Sequence, residues 1–262
     1  MTNEVRYKLG KKDITPGAVK FKLRDYLKKD VIPAIPASFG HQAKIADWQM
    51  LANDRVGDCA IAGAFHETAL WCAEGNKPFR IDDDAVLETY SEFTGYDPSQ
   101  TDPVTGENPT DEGTDPQAFA EYRRTTGITD AGGNLHKIGA YLALDQGNVA
   151  QLRAAMFLFS AVGIGVQLPE SAQDQFQAGE VWTPVSGSPI EGGHYINGAA
   201  SDNDSNIGIV TWGAFTWMTA SFYRRYNDES LVYLSEEFLT SGVSPEGFNL
   251  QQLQADLAAI GH

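Results

Sequence analysis

Cys59 and His194 are the two side chains whose types and positions suit nucleophilic catalysis. Cys59 ends the stretch Asn53-Asp54-Arg55-Val56-Gly57-Asp58-Cys59, and the run from Ala60 to Trp71 that follows is rich in small residues and reads as a buried helix. Asp58 is the expected N-cap, its carboxylate accepting from a free N–H of the first turn. Cys59 then sits at the positive end of the helix dipole, which favours the nucleophilic thiolate. On its own, Cys59 reads more plainly as an inert packed thiol, since free cysteine is among the most buried residue types.

A thiol nucleophile needs a base for its proton and donors for the oxyanion. Of the five histidines, His41 lies in a connector, His262 ends the chain, His66 faces away from the helix tip and His136 opens a buried run. His194 follows Glu191-Gly192-Gly193 and begins a strand in the other half of the chain. A helix-tip cysteine facing a strand histidine across a cleft makes a thiolate–imidazolium pair.

The elements that must position this pair fall into four parts. Residues 1–37 read as an extended basic arm, punctuated by Pro16, Pro33 and Pro36. Residues 38–160 read as a helical half carrying Cys59. Its further helices are Ala85 to Phe93 behind the caps Asp82-Asp83-Asp84, Pro116 to Thr125, and Asn148 to Ser160. His136 to Leu142 reads as one buried strand. Residues 161–243 read as an antiparallel, partly closed sheet, with strands at Val162–Leu168, His194–Ala200, Ile207–Trp212 and Ser230–Ser235. Asp202 to Asn206 is the expected hairpin turn. Residues 244–262 read as a tail, with Leu250, Leu253, Leu257 and Ile260 on one side of a helix capped by Asn249. The class is α+β.

Composition bounds the partners. The net charge of −16 over 262 residues disfavours nucleic acid, because phosphates need clustered lysine and arginine. The first 30 residues carry +5, leaving −21 on the remainder. The arm therefore either lies across its own acidic body or docks on another acidic subunit. Cys59 and Cys72, 13 residues apart on one helix, are ~20 Å from each other and cannot pair. The longest apolar run, Ala154 to Val166, is too short for a membrane span. With no apolar signal core at the N-terminus, the expected location is the cytoplasm or a virion.

No cofactor is expected. The three aspartates at 82–84 read as helix caps rather than a metal site. The long acidic loop Thr94 to Asp115 is rich in carboxylates, yet no calcium-loop frame fits it; calcium there is the lesser reading.

The ordered set of motifs resembles the papain-like cysteine protease superfamily. Cys59 opens a buried helix after a glycine turn. Asn53 stands six residues earlier, where those enzymes place an oxyanion-donating glutamine. Gly193-His194 precedes an apolar strand, and Val210-Thr211-Trp212-Gly213 falls where they have asparagine-serine-tryptophan-glycine. Phe176 and Gly179-Glu180-Val181-Trp182 lie upstream of the histidine, much as a family loop does. Within the superfamily the chain is most similar to papain-like proteins of tailed bacteriophages and bacteria, through Thr94-Gly95-Tyr96-Asp97-Pro98, Thr125-Thr126-Gly127-Ile128 and Gly192-Gly193-His194. This implies a phage or prophage protein.

The resemblance implies a hydrolase acting on a peptide or amide. Cys59 would be the nucleophile and His194 the acid and base, with Asn53 at the oxyanion. The residue that orients the imidazole is asparagine in the family and Val210 here, so Thr211 is the candidate substitute. The alternative is a catalytically degenerate scaffold serving as a virion or interaction protein, with arm and tail as assembly handles.

Overall fold

The structure is a computed structural model that describes residues 6–27, 34–235, 251 and 255. The expected tail helix otherwise lies outside the described residues. The helices are α1 (Leu23–Tyr26), α2 (Cys59–Glu74), α3 (Asp83–Thr94), α4 (Pro116–Thr125), α5 (Val149–Phe159), α6 (Glu170–Gln177) and α7 (Ala220–Tyr226). The strands are β1 (Phe39–Gly40), β2 (Ile128–Thr129), β3 (Leu135–His136), β4 (Ile138–Ala143), β5 (Val162–Pro169), β6 (Ile190–Ser201), β7 (Ile207–Thr211), β8 (Ala214–Met218) and β9 (Asn227–Ser235).

Six strands form an antiparallel sheet in the order β4-β9-β5-β6-β7-β8, and β1 adds to β6. The expected α+β class is what forms. Strand β6 starts at Ile190, so His194 lies within a strand rather than at its beginning. The run from His136 to Leu142 divides at Lys137 into β3 and β4, and β4 joins the sheet on β9. The pattern gave no sign of β8, α6 or α7, which are short and lack a clear apolar period.

Residues Cys59 to Cys72 of α2 are all buried, as a helix apolar all round must be. It lies close against β6, and Gly63 makes the approach possible: a Cβ there would sit 2.6 Å from the Tyr195 ring. Strand β5 alternates Val162-Gly163-Ile164-Gly165-Val166, so bulky residues line one face and bare backbone the other. Ile164 packs with Met156 of α5 in the main core. Gly163 and Gly165 face Tyr195 and Lys11.

A buried polar group bolts α2 to the sheet. Glu67 Oε2 accepts from Arg123 Nη1 at 2.5 Å, and Oε1 accepts from Tyr195 OH and Asn197 Nδ2, each at 2.8 Å. The Arg123 guanidinium lies 4.4 Å over the Tyr233 ring. A charge this deep persists only when paired and hydrogen-bonded.

The loop from Thr94 to Asp115 is stitched by its own side chains; Asp102 Oδ1, for example, accepts from Val104 N and Thr105 N. Among the described residues no cluster of three or more His, Cys, Asp or Glu is arranged to hold a metal ion. No described helix is long and apolar enough to cross a membrane.

Candidate functional site

Cys59 is the first residue of α2, and Asp58 holds the N-cap position. The capping bond expected from Asp58 is not made: its carboxyl accepts instead from Asn53 Nδ2 at 3.1 Å. Asp58 is fully buried, and burial holds its pKa well above the usual carboxylate range. The Asn53 amide, expected at the oxyanion, is committed to this acid in the structure. Backbone turns before the helix are tight, with positive φ at Leu51 and Ala52.

The neighbour of Cys59 in the other half is β6: Tyr195, the residue after His194, packs against it, and its backbone N–H favours the charged form of the sulfur. His194 is wholly buried, and its Nε2 shares a 2.7 Å hydrogen bond with Thr211 Oγ1. Its Nδ1 has no hydrogen-bond partner. The Trp212 ring stacks on the imidazole, centroids 4.6 Å apart and planes at 19°. Val210 is buried in an apolar cluster and offers His194 nothing polar. His194 and Thr211 are joined on the sheet, and Cys59 heads the helix packed against the neighbouring Tyr195.

The site is covered, and the cover is the chain's own arm. The backbone N–H of Gly10 lies near the Cys59 sulfur and favours its charged form. Lys8 N donates to Asp54 O at 3.2 Å, Lys11 N to Gly193 O at 3.0 Å and Lys12 N to Thr114 O at 2.8 Å; Thr114 N donates back to Gly10 O at 2.7 Å. Glycines clear the track. A Cβ on Gly10 would lie 1.8 Å from Gly57 O, one on Gly193 2.2 Å from Lys11 O, and one on Gly113 2.2 Å from Gly10 O. Asp111 fixes the near wall, accepting from Gly57 N at 3.0 Å and from Tyr90 OH at 2.6 Å.

Two side chains anchor the arm. The Tyr7 ring stacks on Trp212 at 4.9 Å and meets Phe176 edge-on at 5.8 Å. Its backbone N–H donates to Gln173 Oε1 at 2.7 Å. The Lys11 ammonium lies in a pocket with Asp228 at 2.8 Å and Glu229 at 3.5 Å. Arg6 adds ion pairs with Glu170 and Asp174 of α6. Of the two placements considered for the arm, the described part lies across its own body.

Covering the site sets its protonation. Burial pushes the Cys59 thiol up to about 12, although the Tyr195 and Gly10 N–H groups pull the other way. Burial lowers His194 to about 3. The favoured pair is therefore neutral thiol and neutral imidazole. The thiolate expected from the helix dipole is outweighed, because a dipole is worth about 0.3–1 kcal/mol and desolvation shifts a buried group by several units.

Sequence reasoning named Cys59, His194, Asn53 and Thr211 as candidates, and assigned no site role to Gly10, Lys11, Asp228 or Glu229. The only signal for the last set was the charge contrast between arm and body, which names no residue.

The fold is that of the papain-like cysteine proteases. Xylellain, a cysteine protease from Xylella fastidiosa, superposes with a TM-score of 0.65 over 89% of this chain and 98% of its own, at 15% identity. Digestive procathepsin L 3 of Tenebrio molitor matches at TM-score 0.55 over 83% of this chain and 76% of its own, at 10% identity. A Carica candamarcensis cysteine protease matches at 0.53 over 76% and 99%, at 13% identity. No protein-family model and no curated protein sequence matches the chain.

Proposed function

We propose that the protein is a cysteine hydrolase of the peptidase or amidase type, held shut in this structure by residues 6–13. The observation that carries the reading is the His194 imidazole. One nitrogen is held by Thr211, the other is unpartnered, and the next residue, Tyr195, packs against Cys59. An imidazole fixed at one edge and free at the other is poised to exchange a proton. The papain-like fold supports the same reading.

With the arm displaced, His194 takes the Cys59 proton and the thiolate attacks the substrate carbonyl carbon. His194 returns that proton to the leaving nitrogen as the C–N bond breaks, leaving a thioester on Cys59. Water then attacks the thioester with His194 as base, releasing the acid and restoring the thiol. The backbone N–H of Cys59 faces the developing oxyanion from the helix tip. Asn53 joins it only by giving up its bond to Asp58.

The test is the iodoacetamide rate of Cys59 against pH in a Cys72→Ser background, comparing the unaltered arm with Tyr7→Ala/Lys11→Glu. The unaltered chain is expected to react slowly at neutral pH. The loosened chain is expected to react at least tenfold faster, with a rate that persists to about pH 6 and is lost in His194→Ala. A loosened chain whose Cys59 reacts only near the ordinary thiol pKa of ~8.5 would refute the hydrolase and leave the degenerate scaffold.

A further inference from the structure

We propose that the pocket holding the Lys11 ammonium is a substrate side-chain pocket that selects lysine or arginine, borrowed by the arm while the site is shut. This rests on reading Cys59 and His194 as a hydrolase.

The pocket is built for a cation. The Lys11 side chain is wholly buried; its Nζ donates to Asp228 Oδ2 at 2.8 Å and to Lys12 O at 3.0 Å, with Glu229 Oε1 at 3.5 Å. Asp228 Oδ2 is fixed in turn by Gln167 Nε2 at 2.8 Å. Glu229 is buried, with the Lys11 ammonium 3.5 Å from Oε1 and Gln117 beside it. Burial raises its pKa to about 7, and Lys11 opposes that rise. A buried and a half-buried carboxylate side by side are costly without a cation between them.

The room for that cation is also built. A Cβ at Gly165 would lie 2.3 Å from Lys11 Cε and 2.7 Å from Asp228 Oδ1, so any larger residue would close the pocket. The rails beside it carry no side-chain information. Gly193 O, Thr114 O and Thr114 N bond only to arm backbone, and any extended peptide has the same groups. Gly10 occupies the place over the sulfur, so the pocket takes the side chain one residue along from it. Backbone rails give affinity and the pocket gives selection. The −21 charge of the chain beyond residue 30 favours a basic peptide further.

The test varies residue 11 in the full chain and reads hydrogen exchange at the Lys12 and Thr114 amides, which are protected only while the arm is seated. Lys11→Arg is expected to keep protection within about threefold; Lys11→Met and Lys11→Glu are expected to lose tenfold or more, as is Asp228→Asn. Protection in Lys11→Met equal to that with lysine would overturn cation selection. The Lys11→Glu chain is then offered peptide amides differing only at the residue that enters the pocket. Lysine and arginine are expected to be cleaved at least tenfold faster than leucine or glutamate, and faster cleavage of leucine would overturn the substrate assignment. Cation-selective protection with no peptide cleaved would refute the hydrolase and with it the substrate role, leaving the cation pocket standing.

Discussion

Thr211 Oγ1 lies 2.7 Å from His194 Nε2, one position beyond the valine that stands where papain-like enzymes carry an orienting asparagine. The strand end makes this possible. Val210 pairs with Phe215 and turns its side chain into the apolar cluster, while Thr211 pairs with Ala214 at the tight turn closed by Trp212 and Gly213, both with positive φ. A hydroxyl is a weaker anchor than an amide, but it is buried and has one partner.

Thr211→Val is nearly isosteric and removes that anchor. In the loosened chain it is expected to lower kcat by about tenfold to hundredfold, a part of the 10²–10⁴ that a positioned acid–base group supplies, with KM little changed. Thr211→Ser is expected to recover most of the loss. Steady-state kinetics on one peptide amide checks this; an unchanged kcat in Thr211→Val would mean that Trp212 stacking alone orients the ring.

Gly10→Ala tests the arm through its backbone. The added Cβ would lie 1.8 Å from Gly57 O, and neither chain has a flexible side chain to give way. The arm must lift at this point, and the Cys59 alkylation rate at pH 7 is expected to rise at least tenfold. The thermal midpoint is expected to fall as well, because Tyr7 and Leu9 pack against the core and Lys11 pairs with Asp228. Gly17→Ala in the same arm adds backbone strain at φ +77° but no clash, since nothing lies within 4 Å of the added carbon, and is expected to raise the rate far less.

Much of this arrangement was legible in the residues. A cysteine at the head of a helix of small residues, a histidine in an apolar strand and a Thr-Trp-Gly turn beyond it are local signals, and each survives in one short segment. The closing of the cleft is not local. Lys11 meets Asp228 across 217 positions, and an Asp-Glu pair at the head of a strand looks like any solvated pair until the topology brings β9 beside β5. The capping role expected of Asp58 failed for a related reason: Asn53, five residues earlier, takes its carboxyl in a buried turn that local propensity does not describe.

Glu67 shows how α2 is held so that its tip faces β6. Removing one partner of a buried ion pair leaves the other charged and unsatisfied, at a cost of about 3–5 kcal/mol. Glu67→Ala is therefore expected to destabilise by that amount in urea unfolding, since Arg123, Tyr195 and Asn197 all lose their acceptor. Glu67→Gln keeps an acceptor and the shape and is expected to cost less. A loss below about 1 kcal/mol in Glu67→Ala would mean that water enters and replaces the carboxylate.

His66 gives the protein a predictable sensitivity to acid. Its Nε2 donates to Trp48 O at 2.7 Å, and burial lowers its pKa from 6.5 to about 4. Below pH 6.5 the unfolded chain binds a proton at this position that the native chain refuses, so stability falls as pH falls, until about pH 4. Between pH 6.5 and 5 the loss from this one group is about 1.5 kcal/mol. His194, lowered to about 3 while the arm is seated, adds a loss of the same sign. His66→Gln retains a donor for Trp48 O and does not titrate. Its unfolding free energy is expected to drop by about 1.5 kcal/mol less than that of the unaltered chain between these two pH values. Parallel pH profiles for the two chains would show that the site admits the charged imidazole, and that α2 is less tightly packed at its second turn than its burial implies.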